Sequence, residues 1–430
     1  METTGTSFRG PRPTGPPTGG AGPRRGPLAG LRIVELAGIG PVPFACMMLA
    51  DLGAEVIRVD RADGRRPFGG WHRVLDRGRR SVALDLKDPE GVAAVLRLAD
   101  RADAVVEGFR PGVAERLGIG PEACRDRNPA LVYARMTGWG QDGPLASAPG
   151  HDINYIALTG ALDAIGADGG APVPPVNLLG DFAGGGMLLV CGILAALHER
   201  RRSGLGQTVD TAIVDGTASL LGMLLAMRDE GSWDGPRGAN LLDGGAPFYT
   251  TYPCADGGHV AVGALEERFY ADLLAGLGLP AHSLPDRADR TRWPDLREAF
   301  AARFATRSRD AWTEAFAGTQ ACVTPVLTLP EAAGHPQLSA RGTYIDTGTG
   351  TEPAPAPRFD RTPAPDPGPA PTPGEHTRQV LSESGLTPSE IDALIARGTA
   401  LASHDEPLAP GCTTARAARD HPPSARRTTA

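Results

Sequence analysis

The sequence predicts an α/β fold built on a mainly parallel sheet, and three observations carry that prediction. Its first half alternates short runs rich in Val, Ile and Leu with segments of helical periodicity. Strand-like and helix-like runs follow one another in turn, the pattern of βαβ units rather than of hairpins. At 430 residues with 41% hydrophobic content, the chain is also long enough to bury a large core, as two domains or one elaborated domain.

Leu31-Arg32-Ile33-Val34-Glu35-Leu36 reads as the first strand, Pro43 to Leu52 as a helix, and Glu55-Val56-Ile57-Arg58-Val59 as the second strand. Further strands are expected at Ser81 to Leu84, Ala104 to Glu107 and Leu131 to Arg135, with helices at Pro89 to Ala99 and Val113 to Leu117. This order predicts a Rossmann-like large domain. Gly38-Ile39-Gly40 after the first strand, with Asp60 ending the second, imitates a dinucleotide fingerprint with its acidic residue about twenty positions on. The match fails at the third glycine, where Pro43 stands, and Pro41 lies between; neither has an N–H to offer a pyrophosphate.

The formal net charge of −7 argues against a general nucleic-acid-binding role, although Arg77-Gly78-Arg79-Arg80 forms a local basic cluster suited to phosphate. Lys87 is the only lysine. The six cysteines, Cys46, Cys124, Cys191, Cys254, Cys322 and Cys412, show no paired spacing; the expectation is free thiols in a reducing, cytoplasmic setting and no metal site. The longest apolar run, Gly184 to Leu197, is shorter than a spanning helix and leads into His198-Glu199-Arg200-Arg201-Arg202 and Gly204, a helix C-terminus. It reads as a buried helix, and no membrane partner is expected. The Pro/Ala-rich stretch Thr351 to Gly374 reads as an extended connection, and residues 1–26 and 403–430 as disordered extensions.

Two short segments carry the chemistry. Gly150-His151-Asp152-Ile153-Asn154-Tyr155 and Gly180-Asp181-Phe182-Ala183-Gly184-Gly185-Gly186 each set a proton-transfer residue in a turn-like context. Two bases are what a reaction needs if a proton is to leave one face of a carbon acid and return to the other. The glycines after Asp181 predict a helix start whose N–H groups face a developing oxyanion, with Asp181 as N-cap.

These segments, with Glu266 in Val262-Gly263-Ala264-Leu265-Glu266, resemble the α-methylacyl-CoA racemase branch of the family III CoA-transferases, over roughly Pro27 to residue 400. The resemblance implies two-base proton transfer at the 2-position of 2-methyl-branched acyl-CoA thioesters. His151 and Asp181 would be the bases, and Glu266 would orient the imidazole. CoA would be part of the substrate, with no separate cofactor. Its contacts would come from Arg61, from Leu84-Asp85-Leu86-Lys87, from Gly108-Phe109-Arg110 and from Arg116. Gly150, Asp152, Ile153, Asn154 and Tyr155 would lie along the thioester end. The implied organisation is a large domain over 27–229, a small α+β domain over 230–328 with strands at Tyr249 to Cys254 and His259 to Gly263, and a segment at 329–402 returning to the large domain. Two chains would form an interlocked homodimer, Glu266 coming from the partner.

The acyl chain would be held by a surface rich in Met and Leu such as Leu220 to Met227. Plainer readings exist for each residue: His151 as a loop or cap residue, Glu266 as an ordinary acidic helix start, Leu220 to Met227 as helix core. Two other functions stand beside the racemase. A family III CoA-transferase would use Asp181 as a covalent nucleophile and would not require His151. A non-catalytic CoA-binding scaffold would require neither residue.

Overall fold

The strands of the first half assemble as buried parallel strands of one sheet, in a computed structural model that describes residues 25–65 and 72–403. The expected terminal extensions lie almost wholly outside the described residues. The chain runs β1 (Arg32–Leu36), α1 (Pro41–Asp51), β2 (Glu55–Arg61), β3 (Arg79–Leu84), α2 (Pro89–Ala99), β4 (Ala104–Glu107), α3 (Val113–Arg116), α4 (Pro121–Arg127) and β5 (Val132–Thr137). There follow α5 (Asp152–Leu158), a π-helical segment (Leu178–Met187) continuous with α6 (Leu188–Ser203), β6 (Thr208–Ala212), α7 (Ile213–Leu220) and α8 (Gly222–Asp229).

Neighbouring residues on each central strand serve opposite faces of the sheet, as the pleat requires. Val34, Ile57 and Val105 join one core cluster, whereas Ile33, Val56 and Val106 join the other. Both faces are covered by helices, which is why these strands read as continuous apolar runs. Helix boundaries follow local chemistry. Asp88 caps α2 by accepting the Glu90 N–H, Pro89 takes the first helical position, and α6 ends at Gly204, whose φ of 74° closes the last turn.

A second, antiparallel sheet is formed by β7 (Tyr249–Pro253), β8 (His259–Gly263) and β9 (Val323–Val326). It packs on α9 (Glu267–Leu277), α10 (Trp293–Phe304) and α11 (Arg309–Ala315) around Tyr252, Phe300, Phe304 and Trp312. Then come α12 (Leu329–Gly334), α13 (Pro336–Ala340), and the hairpin of β10 (Tyr344–Asp346) with β11 (Thr351–Pro353). The start of the supposed extended connection is therefore a strand. The chain then returns through α14 (Thr377–Glu383), α15 (Pro388–Ala396) and β12 (Ala400–Leu401), which pairs antiparallel with β3. Val380, Leu381, Ile391 and Leu394 join the first core cluster.

The Arg cluster is not a phosphate site. Arg79 pairs with Glu35 at 2.5 Å with both side chains fully buried, and Arg77 pairs with Asp51 at 2.6 Å and with Glu352. Arg80 lies between Glu55 and Glu383. A buried guanidinium is tolerated only with carboxylates and carbonyls around it, and here all three are committed to such partners.

The apolar helix is longer than its apolar run. Continuous helix covers Leu178–Ser203, 26 residues with mean hydropathy 1.8 over its best window, enough in length and composition to cross a membrane. Its Leu189, Val190, Ile193, Ala196 and Leu197 are instead buried in the second core cluster under the sheet. One face of this helix thus belongs to the core of the fold.

Candidate active site

The large sheet has the order β12-β3-β2-β1-β4-β5-β6, parallel throughout except for β12. Strand order reverses between β1 and β4, so the loops leaving their carboxyl ends diverge and open a crevice. A cavity of about 830 Å³ lies there, lined from β1 by Ile39 and Gly40, from β4 by Gly108, Phe109 and Arg110, and from the later segments by Gly150, His151, Tyr155 and Asp181.

His151 is the N-cap residue of α5, its N–H donating to the Asn154 carboxamide at 3.1 Å. Its ring is exposed and lines the cavity. Tyr155 holds the preceding loop through a hydrogen bond from its hydroxyl to the Gly150 carbonyl at 2.5 Å. The ring fits because Gly138 has no side chain: a Cβ there would stand 2.0 Å from the Tyr155 ring.

Asp181 does not cap a helix. The π-helical segment begins three positions earlier, after Asn177, and places Asp181 inside its first turn. The Asn177 side-chain amide donates to Asp181 Oδ2 at 3.2 Å. Burial pushes the Asp181 carboxyl above the usual carboxylate range; the Asp152 carboxylate adds to this, and Asn177 and His151 oppose it. A carboxyl raised in this way is suited to exchange protons near working pH. The expected oxyanion site at the glycines is also corrected. Asp152 Oδ1 accepts the Asp181 N–H at 2.7 Å, and the neighbouring Gly180 N–H also favours the Asp152 carboxylate. Gly184, Gly185 and Gly186 are buried and serve close packing against α7 and α1. A Cβ at Gly186 would lie 2.6 Å from Phe44, which stacks on Phe182 at 4.7 Å. Gly186→Val is expected to cost about 1–3 kcal/mol by overpacking, measured as a lowered denaturation midpoint.

The Gly38-Ile39-Gly40 turn gains a physical explanation here. Gly40 has φ 65°, and a Cβ on it would lie 3.1 Å from Asp181 Oδ2. Its glycine leaves room for the carboxylate, and α1 starts at once with Pro41. A second cavity of about 500 Å³, lined by Arg61, Leu84, Asp85, Leu86, Lys87 and Leu117, shares Phe109 with the first.

The sequence matches the family model for CoA-transferase family III over residues 28–377. The chain belongs to the family III CoA-transferases. It is 49% identical over 366 residues to the α-methylacyl-CoA racemase of Mus musculus, covering 85% of this chain and 95% of that protein. The human α-methylacyl-CoA racemase is 47% identical over the same length. Among solved structures, a CAIB/BAIF family protein from Brucella suis superposes with a TM-score of 0.73 at 27% identity, covering 84% of this chain and all of that one.

Within this family III scaffold the other site residues fall into distinct settings. Arg61, 71% exposed at its side chain, pairs with Asp63 at 3.0 Å. Such a surface pair is worth about 0–1 kcal/mol and readily yields to a phosphate. Arg116 is exposed beside Gly112 and lines neither cavity, and Ile153 and Asn154 face solvent on α5. Asp152 is buried under the Asp181 turn rather than set along a ligand surface. Glu266, the N-cap residue of α9, is exposed on the second sheet's side of the molecule and does not line the cavity of its own chain.

Sequence reasoning missed Asn177, Trp139 and His72, all of which line the cavity. The spacing of Asn177 four positions before Asp181, one helical turn, was the available signal for the first. Asp152→Asn keeps an oxygen acceptor for the backbone and removes a negative charge beside Asp181. The limb of the pH–rate profile due to Asp181 is therefore expected to move to lower pH; an unchanged limb would contradict the coupling.

Proposed function

We propose that this protein is an α-methylacyl-CoA racemase, epimerising 2-methyl-branched acyl-CoA thioesters by 1,1-proton transfer. The observation that carries the reading is the pairing of His151 with a carboxyl held above its usual range at Asp181, in one cleft at the sheet's switch point. The likeness to two racemases over nearly their whole length supports it. The substrate's α-carbon sits between the two groups. One takes the α-proton, an enolate thioester forms, and the other delivers a proton to the opposite face. Each group acts as acid in one direction and base in the other. This proton transfer requires neither a metal nor a redox cofactor. CoA spans both cavities, its phosphates near Arg61 and Lys87 and its pantetheine passing Phe109.

The working unit in this reading is an interlocked homodimer in the cytoplasm, with Glu266 supplied to His151 by the partner. Leu220, Met223 and Leu225 on α7 and α8, which the sequence offered as an acyl-chain surface or as plain helix core, are exposed apolar side chains suited to burial between chains. The unpaired thiols of the described residues fit a reducing compartment. Co-expressing His151→Ala and Glu266→Ala chains is expected to restore about a quarter of wild-type activity, since half the dimers are mixed and each mixed dimer has one intact site. No recovery would contradict a shared site.

A direct test incubates either pure epimer with the enzyme and no carboxylic acid acceptor. Both should converge on a near-equal mixture. The second reading, CoA transfer through an acyl anhydride on Asp181, draws on the carboxylate's exposure to the cleft; it predicts no epimerisation and CoA exchange only when an acceptor acid is added.

A further inference from the structure

We infer that Asn177 is a positioning residue for Asp181: its side-chain amide holds one carboxylate oxygen, so that the other, Oδ1, is the atom that exchanges a proton with the substrate. The inference rests on the racemase reading of the same site. Two observations from different segments single out Oδ2 as the held oxygen. The Asn177 amide nitrogen donates to Oδ2 at 3.2 Å. The Gly40 turn, which follows β1, approaches the same atom, since a Cβ there would stand 3.1 Å from Oδ2 and 3.9 Å from Oδ1. Among the described residues no hydrogen bond reaches Oδ1, and Asp181 lines the cleft together with Asn177 and His151. An N–H donated to Oδ2 leaves the proton of the neutral carboxyl to Oδ1.

The backbone bends just before the amide. Val176 has φ 60°, a conformation that strains a β-branched residue, and it is 73% exposed, so packing does not account for the bend. The π-helical segment starts directly after Asn177, with Asp181 in its first turn. Asn is a favoured helix cap, yet Asn177 makes no side-chain capping bond; its amide goes to the carboxylate instead. The charges around Asp181 leave this bond a distinct part. Burial lifts the carboxyl most, Asn177 lowers it, Asp152 lifts it and His151 lowers it. Tyr155, which feels both Asp181 and Arg110, stands on the same cleft. The amide therefore favours the ionised form, the one Asp181 needs as a base, and fixes the geometry in which Oδ1 meets the α-hydrogen. Asn177 thus serves one face of the α-carbon.

The test measures α-proton exchange from each epimer of 2-methyldecanoyl-CoA in deuterated water. Asn177→Ala should lower kcat/KM for exchange from the epimer that faces Asp181 roughly tenfold, the weight of one hydrogen bond to a charged group. Exchange from the epimer that faces His151 should stay near wild type, which also reports that the variant is folded. The faces are assigned by His151→Gln, in which only the Asp181-facing epimer exchanges. Independently of turnover, the Asp181 carboxyl, followed by carbon nuclear magnetic resonance and assigned by its absence in Asp181→Asn, should titrate at higher pH in Asn177→Ala. It should rise further in the isosteric Asn177→Asp, where a second carboxylate faces it. An equal loss from both epimers, or an unmoved titration, would overturn the assignment. Absence of exchange from either epimer in the wild type would instead contradict the racemase reading, and the titration alone would then decide the role of Asn177.

Discussion

His151→Gln is expected to abolish epimerisation, lowering its kcat/KM by about 10²–10⁴-fold, the usual contribution of a positioned acid–base group. The loss should be one-sided in a way that a structural defect would not be. Asp181 remains on its own face of the α-carbon, so the epimer whose α-hydrogen points toward it should still exchange that hydrogen with solvent, with retention. The other epimer should not exchange. Nuclear magnetic resonance of each epimer in deuterated water reads both effects. Equal residual exchange from both epimers would mean that the imidazole is not the base of one face. α5 itself should survive, since the Asn154 carboxamide contacts the backbone N–H of position 151 and not its ring.

Asp181→Asn should cost activity on the same scale, with exchange surviving only for the epimer that faces His151. Its effect on stability should have the opposite sign. The Asp181 carboxyl is raised in the folded protein, chiefly by burial. A raised carboxyl contributes stability that is present below its unfolded value, about 3.9, and lost as pH rises through the higher folded value. Above that unfolded value the wild-type chain therefore bears a cost of burying this carboxyl that the Asn variant lacks. The variant should melt higher at pH 7, and its advantage should shrink as pH falls toward that unfolded value. A lower midpoint at pH 7 would contradict the environment described for this carboxyl. The second prediction thus separates chemistry from folding: the residue that most serves the reaction burdens the fold.

Much of the large sheet was legible because its strands declare themselves. β4 was read at its observed bounds from four apolar and acidic residues between turn signals, and α2 from Pro89 to Ala99, with Asp88 before its proline start. What stayed hidden depended on partners distant in sequence. Arg77, Arg79 and Arg80 read as a basic cluster because their carboxylates, Asp51, Glu352, Glu35, Glu55 and Glu383, come from remote segments. The glycines after Asp181 suggested a helix start, but they are small because α1 and α7 press on them. The helix begins earlier, in a π-helical turn that no spacing rule announces. His151 and Asp181 were found because each sits in an unusual local setting.

The central claim is that His151 and Asp181 act from opposite faces of one α-carbon. It is tested most directly by incubating a single epimer of a 2-methylacyl-CoA in deuterated water and following deuterium uptake and configuration together. The account predicts that every inverted product molecule carries deuterium at the α-position, and that inversion disappears in both His151→Gln and Asp181→Asn. Retention of protium and configuration, with CoA moving to an added carboxylic acid, would contradict it and make Asp181 a nucleophile.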